Sequence, residues 1–376
     1  MEEVRHMKST PWHAASAHSA GFLACGLAVC LGALVTAAPA HAGDSCVSSV
    51  FGTKSVGSAK CASKGLSIAL AFGPGAKAES DGLFATALSF GSGAASISSG
   101  SLATAVAAGE HTLAGVHGFL DLVAAIGEDS HSLGAPDGVV RGSALLAFGG
   151  GTVIANGSSF NLASSARHGY VVLQNANFSV TSADDNASAT STGGFNHVVA
   201  RGSGFAAAQG GLFNTVVDLN SGSAIAGNGN FNVATSVNSN RNSGEGSATT
   251  VAGNRNVAVG VGQNAILVTP GDGNVAVAVG MNNFANIGSD EPANGNVAIV
   301  VGQNSSANAL EGNRNRAVVV GNQSIANAGF RVEDTTNTPG NRNRATVVGN
   351  SSVAEAGPGD GNRVRVVGNN KTDRKP

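Results

Sequence analysis

The sequence predicts an all-β fold, a parallel β-solenoid of about sixteen 18-residue coils, and three observations predict it. Glycines recur every 18 residues at Gly73, Gly91, Gly109 and Gly127, each closing a short apolar stretch, and return in phase at Gly262, Gly280, Gly302, Gly321, Gly349 and Gly368. Between these blocks the period is carried by Phe160, Phe178, Phe195, Phe213 and Phe231, at spacings of 18, 17, 18 and 18. Composition is the third observation: 54 of 376 residues are glycine, 12% are charged and 5% aromatic, too few large side chains for conventional globular cores. Small residues suit a thin stack in which sheets approach closely.

The chain opens with Arg5 and Lys8, an apolar run from Gly21 to Ala38, and Ala40-His41-Ala42 before Gly43. That order predicts an export signal over residues 1–42 with an A-x-A cleavage pattern, and no transmembrane anchor in the mature chain. Cys25 and Cys30 fall inside the signal. Cys46 and Cys61 remain, in a cap over residues 43–65, and an oxidising compartment predicts a disulfide between them. Such a link ties down the end of an otherwise open stack. The solenoid is expected over residues 66–370, followed by a polar tail at 371–376.

With the marker glycine at position zero, positions −4 and −2 hold small residues: Ala69 and Ala71, Ala258 and Gly260, Ala276 and Ala278, Ala317 and Val319. Positions −5, −3 and −1 hold larger ones, as in Ile68, Leu70 and Phe72, or Val275, Val277 and Val279. This alternation is a β-strand with two unlike faces. Arg201, Arg316, Arg344, Arg363 and Arg365 belong to the larger set. Burying unpaired arginine is very costly, so the alanine set is expected inside and the Val/Leu/Phe set outside. A continuous apolar outer face predicts contact with other chains. A competing phase, with apolar residues at −7, −1 and +5 as in Leu66, Phe72 and Ala78, predicts a three-sided helix, but Arg255, Arg314 and Arg342 occupy −7.

Position −6 is asparagine in nine coils: Asn196, Asn214, Asn232, Asn256, Asn274, Asn296, Asn315, Asn343 and Asn362. A looser series at +2 holds Asn240, Asn264, Asn282, Asn304 and Asn370. Stacked asparagines at turns bond between coils and tolerate left-handed backbone, so both series read as structural ladders. Longer coils at Gly127–Gly149, Asn238–Gly262, Gly280–Gly302 and Gly321–Gly349 predict insertions between +5 and −6, along one edge. Residues 329–340 form the longest.

Val297-Ala-Ile-Val-Val-Gly-Gln-Asn-Ser-Ser-Ala307 and Ala317-Val-Val-Val-Gly-Asn-Gln-Ser-Ile-Ala326 resemble the head repeats of YadA-type trimeric autotransporter adhesins. The resemblance covers about residues 254–356 and implies a left-handed parallel β-roll that trimerises through an apolar face. This chain's coil is longer than that family's typical repeat, and it shows neither heptad stalk nor C-terminal barrel anchor.

Chemical motifs are sparse. A calcium-binding roll needs G-G-x-G-x-D in successive turns, whereas Asp272 and Asp360 occur singly. One polar cluster stands out: Glu110 and Glu128 share +1 of adjacent coils, His111 and Asp129 share +2, and His131 follows. Stacking would bring the carboxylates about 5 Å apart, suited to metal binding or acid–base work, although a solvated edge explains the same residues. A β-helix enzyme acting on polysaccharide through this cluster is the alternative function, weakened by the scarcity of aromatics for sugar rings. Net charge of −2 argues against general nucleic-acid binding. The expectation is an exported, secreted or cell-surface, non-enzymatic structural or adhesion protein without cofactor. It would self-associate, as a trimer or other homo-oligomer, and engage a host or matrix ligand through its outer face and loops.

Overall fold

The computed structural model describes residues 43–49, 51–116, 118–127, 130–134, 140–149, 151–156, 158–166, 169–184, 188–202, 204–219, 223–237, 246–262, 264–268, 272–288, 294–309, 313–328, 341–356 and 360–374. The export signal expected over residues 1–42 lies outside them. Every regular element among the described residues is a β-strand.

The marker phase becomes a strand for the reason its composition suggests: β-branched residues alternate with alanine on a pleated backbone. Each coil supplies two strands. The first ladder begins at Ala69–Ala71 and runs in parallel register through Ala87–Ser89, Thr104–Ala108, Leu122–Ile126 and onward to Val364–Val367. The second begins at Ala78–Glu79 and runs through Ala95–Ile97, Leu113–Gly115 and His131–Leu133 to Thr372–Arg374. Register steps such as Val216↔Ala234 and Ala258↔Ala276 are one 18-residue coil apart. Two strands per coil make the solenoid two-sided. The three-sided phase fails because Leu66, which it would bury, is 50% exposed.

The solenoid has about 13 turns at this spacing, slightly fewer than the sixteen expected. The first two coils have strands of only two or three residues, and the last coil buries none of its described side chains.

The core is the alanine set. Ala69, Ala71, Ala258, Ala276, Ala317 and Val319 are all fully buried, and the second ladder faces them with residues such as Ala114, Ala226, Ile266, Ala307 and Ala326. One apolar cluster runs from Ala103 to Ala356. The larger set points outward, with Ile68, Val261, Val301 and Val320 each at least 40% exposed. Arginine's desolvation cost therefore identifies the outer face correctly.

Between the two strands of a coil, at the marker phase, backbones touch. A methyl group at Gly321 would overlap the carbonyl oxygen of Gly302, and one at Gly349 that of Gly321. No side chain fits at these positions, so Gly280, Gly302, Gly321, Gly349 and Gly368 fill the column there.

One expectation about insertions is corrected by the register. Extra residues at Leu133–Val140, Ile287–Ala298 and Ala328–Ala345 lead from the second ladder back to the first, on the expected edge. Those of the Asn238–Gly262 coil lie between Val237 and Gly246, on the glycine edge, because Val237 and Ser247 both keep the register of the coil before.

The N-terminal end is closed. Cys46–Val47 adds to the first strand in antiparallel sense, pairing with Ala71 and Leu70. Cys46 and Cys61 form a disulfide with Cα atoms 5.6 Å apart, buried with Ala59, Ala69, Ala71, Ala76 and Ala78.

Candidate functional site

Asparagine at −6 turns inward. Asn196, Asn214, Asn232, Asn256, Asn274, Asn296, Asn315 and Asn343 are at most 2% exposed, and Asn362 is half-buried. Direct amide links join Asn196 to Asn214 (3.3 Å) and Asn274 to Asn256 (3.3 Å). More often the amide donates to a main-chain carbonyl at the end of a second-ladder strand: Asn315 to Ala309 (3.3 Å), Asn343 to Ala328 (3.1 Å), Asn214 to Gly227 (3.3 Å). The ladder thus stitches the two sheets together at their shared corner. It starts earlier than the nine-coil series, at Asn161, which accepts from Ser143 (2.8 Å).

At +2, Asn282 and Asn304 adopt φ of 55° and 53°, the left-handed turn their side chains favour, and their amides bond at 2.9 Å. Asn240 lies outside the described residues. A third amide column, at −8 and exposed, has no counterpart in the sequence reading: Asn230 to Asn254 (3.0 Å), Asn254 to Asp272 (2.6 Å), Asn313 to Asn341 (2.9 Å), Asn341 to Asp360 (2.8 Å). Strict alternation could have revealed it, two residues before the buried asparagine.

The polar cluster is only partly placed. Glu110, His111 and His131 are exposed, while Glu128 and Asp129 lie outside the described residues. His131 stacks on Leu113 rather than on His111. No group of three or more metal-ligating side chains forms among the described residues. A different carboxylate is unusual. Asp121 takes position −6, where later coils carry asparagine, and is 5% exposed with no hydrogen-bond partner for either side-chain oxygen. Burial pushes its carboxyl up to about 7.

Two apolar features of the outer surface stand out among the described residues. Phe160, Phe178, Phe195, Phe213 and Phe231 stack with ring centroids 4.6–5.2 Å apart and planes within 16°. The Arg255 guanidinium closes the stack 4.8 Å from the Phe231 centroid. Beside these rings lies a shallow groove of about 520 Å³, walled by Leu162, Val180, His197 and Thr215. Farther along, Val257, Val259 and Val261, Val275, Val277 and Val279, and Val297, Ile299 and Val301 face outward in three successive coils. They form a flat aliphatic grid without a charge.

Comparison with family models, curated proteins and solved structures finds no match for this chain.

Proposed function

We propose that this chain is an exported structural or adhesion protein of the cell surface or extracellular space, non-enzymatic, which self-associates through the outer face of its first ladder. The observation carrying this reading is the uncharged Val/Ile grid of residues 257–301. Nine aliphatic side chains with one rigid pitch suit another copy of the same pitch, and burying them would stabilise the pair at roughly 25 cal/mol per Å². A trimer is the form we favour, on the resemblance of residues 254–356 to YadA-type adhesin heads. Export is supported by the A-x-A pattern at Ala40-His41-Ala42 and by a disulfide in the cap that follows it.

The test is the mass by light scattering of the chain recovered after export, beside a Val259→Lys/Val277→Lys variant. A discrete trimer dispersed to monomers by the lysines is expected. A wild-type monomer at all concentrations overturns the association, retention inside the cell overturns export, and sugar release from a glycan panel overturns the non-enzymatic reading.

A further inference from the structure

The C-terminal coils carry a second pattern on the same outer face. Asn313-Arg-Asn-Arg316 and Asn341-Arg-Asn-Arg344 repeat one coil apart, and Gly361-Asn-Arg-Val-Arg365 follows. Strand alternation decides where each side chain goes. Asn315 and Asn343 turn into the core ladder, so Arg314, Arg316, Arg342 and Arg344 must all point outward, and each is exposed. Arg363 and Arg365 continue the face in the next coil, also exposed.

Register makes these arginines an array. Ala317 pairs with Ala345 and Ala345 with Val364, so the preceding residues Arg316, Arg344 and Arg363 stand in one column at the strand spacing of about 4.8 Å. The Ala317 amide donates to the Arg344 carbonyl and the Ala345 amide to that of Arg363, both at 3.1 Å. The Arg342 amide donates to the Asn313 carbonyl at 3.0 Å, which sets Arg342 beside Arg314 in a second column. Arg365 pairs across to Thr346. Six of the chain's 21 cationic Lys and Arg side chains thus share three coils of one face, in a protein of net charge −2.

Nothing among the described residues neutralises them. The ion pair there is Arg201 with Asp184, far along the chain. Asp360 is the nearest acid in the edge column and accepts from Asn341, while Glu355 and Asp373 belong to the second ladder, on the opposite sheet. Glu311, Glu333 and Asp334 lie outside the described residues. Like charges directly across a ladder destabilise a sheet. With no acid beside it among the described residues, a threefold arginine column favours an anion from outside.

We propose that this arginine array binds a linear polysaccharide bearing sulfate or carboxylate groups. Guanidinium presents a planar fork to such oxyanions, and a rigid column of forks suits a polymer whose anions recur along its length. Exposed amides of Asn313 and Asn341 flank the columns and supply donors and acceptors for sugar hydroxyls. Single-stranded nucleic acid, the other common polyanion, is held by aromatic rings on which bases stack, and no aromatic residue lies in residues 313–328, 341–356 or 360–374. The site names a ligand class for the adhesion reading and is tested apart from self-association: Arg316, Arg344 and Arg363 take over one column of the valine grid, while Val318 and Val320 continue the other two.

The experiment measures binding of the full exported chain to immobilised heparin, to its desulfated form, to single-stranded DNA and to anionic phosphatidylserine vesicles. Saturable heparin binding that weakens steeply with salt and with desulfation is expected. R316Q/R344Q/R363Q should lose at least about tenfold in affinity, because charge-assisted forks are removed, whereas Arg201→Gln, outside the array, should not. Removing stacked like charges leaves folding intact, which circular dichroism checks; R314Q/R342Q tests the neighbouring column independently. No heparin binding, equal binding by the triple variant, or preference for DNA or vesicles over heparin overturns the proposal. Because oligomeric mass is read separately, failure here is distinguishable from failure of the association face.

Discussion

The first coils and the later ones share an alanine core, yet differ at almost every other position of the repeat. From Ala69 to Leu133 the strands are two to five residues long, whereas Ala298–Ala309 and Ala317–Ala328 each run for twelve. At the −6 corner the early coils carry Ser67, Ala85, Ala103 and Asp121, and the later ones asparagine. At −7, outside, Leu66, Phe84, Leu102 and Leu120 give way to Arg255, Arg314 and Arg342. The buried hydroxyls of Ser89, Ser96, Ser98 and Thr112 make no hydrogen bond, while the amides of Asn315 and Asn343 each tie the end of a strand. A repeat this uniform inside can still place strength and chemistry in different halves. Later coils hold themselves together through side-chain stitching, and early ones lean on a cap and a disulfide.

The largest expected effect tests the glycine column, which is close-packed in both halves, since a methyl at Gly91 or Gly109 would also overlap the carbonyl oxygen of the marker glycine before it. Gly321→Ala drives a methyl into the Gly302 carbonyl, whereas at Gly75 a methyl meets only Ser58, at ordinary contact distances of 3.8–3.9 Å. Thermal unfolding should show Gly321→Ala destabilised by about 4 kcal/mol or more, and Gly75→Ala by under about 1 kcal/mol. Equal losses would mean that the column can spread to admit a methyl as easily as an open turn does.

Asp121 offers the next contrast, since it occupies an asparagine corner with a carboxyl. Its folded-state pKa, about 7, lies above the ordinary 3.8, so the folded protein holds the proton more tightly. Stability from this group is therefore full below about pH 4, falls as pH rises towards 7, and is flat beyond, a loss of at most roughly 4 kcal/mol. Asp121→Asn should match wild type at pH 4 and exceed it at pH 8 in denaturant melts. An unchanged difference between the two pH values would show the carboxylate to be solvated.

The smallest effect probes the cap. Joining residues 15 apart, the disulfide should contribute about 3 kcal/mol, felt by the first coils rather than the array. Cys46→Ser/Cys61→Ser should speed amide hydrogen exchange at Ala69–Ala71 and Ala87–Ser89 and leave Ala317–Ala328 unchanged. Uniform acceleration along the chain would show that the two halves unfold as one unit.

How much was legible follows from which constraints are local. Alternation and the cost of burying charge were enough to put Ala276 inside and Arg344 outside, and two cysteines beside one cap left one pairing. The −6 asparagines announced themselves by period. The inner positions of the second strand, such as Ile266 and Ala307, were not assigned, because that strand varies in phase with turn length and carries no constant marker. Asp121 was missed because a single residue breaks no period. Its consequence comes from desolvation, which depends on the neighbouring coils.

By itself, then, the sequence determined a stacked β array, its period, its inner face and its covalent staple, all properties of residues within one coil. Only the tertiary structure decided that the coil is two-sided, that the Asn238–Gly262 insertion leaves by the glycine edge, and that three arginines from separate repeats stand in one column. These depend on register between coils, and register is set by backbone hydrogen bonds to chain that lies 18 or more residues away.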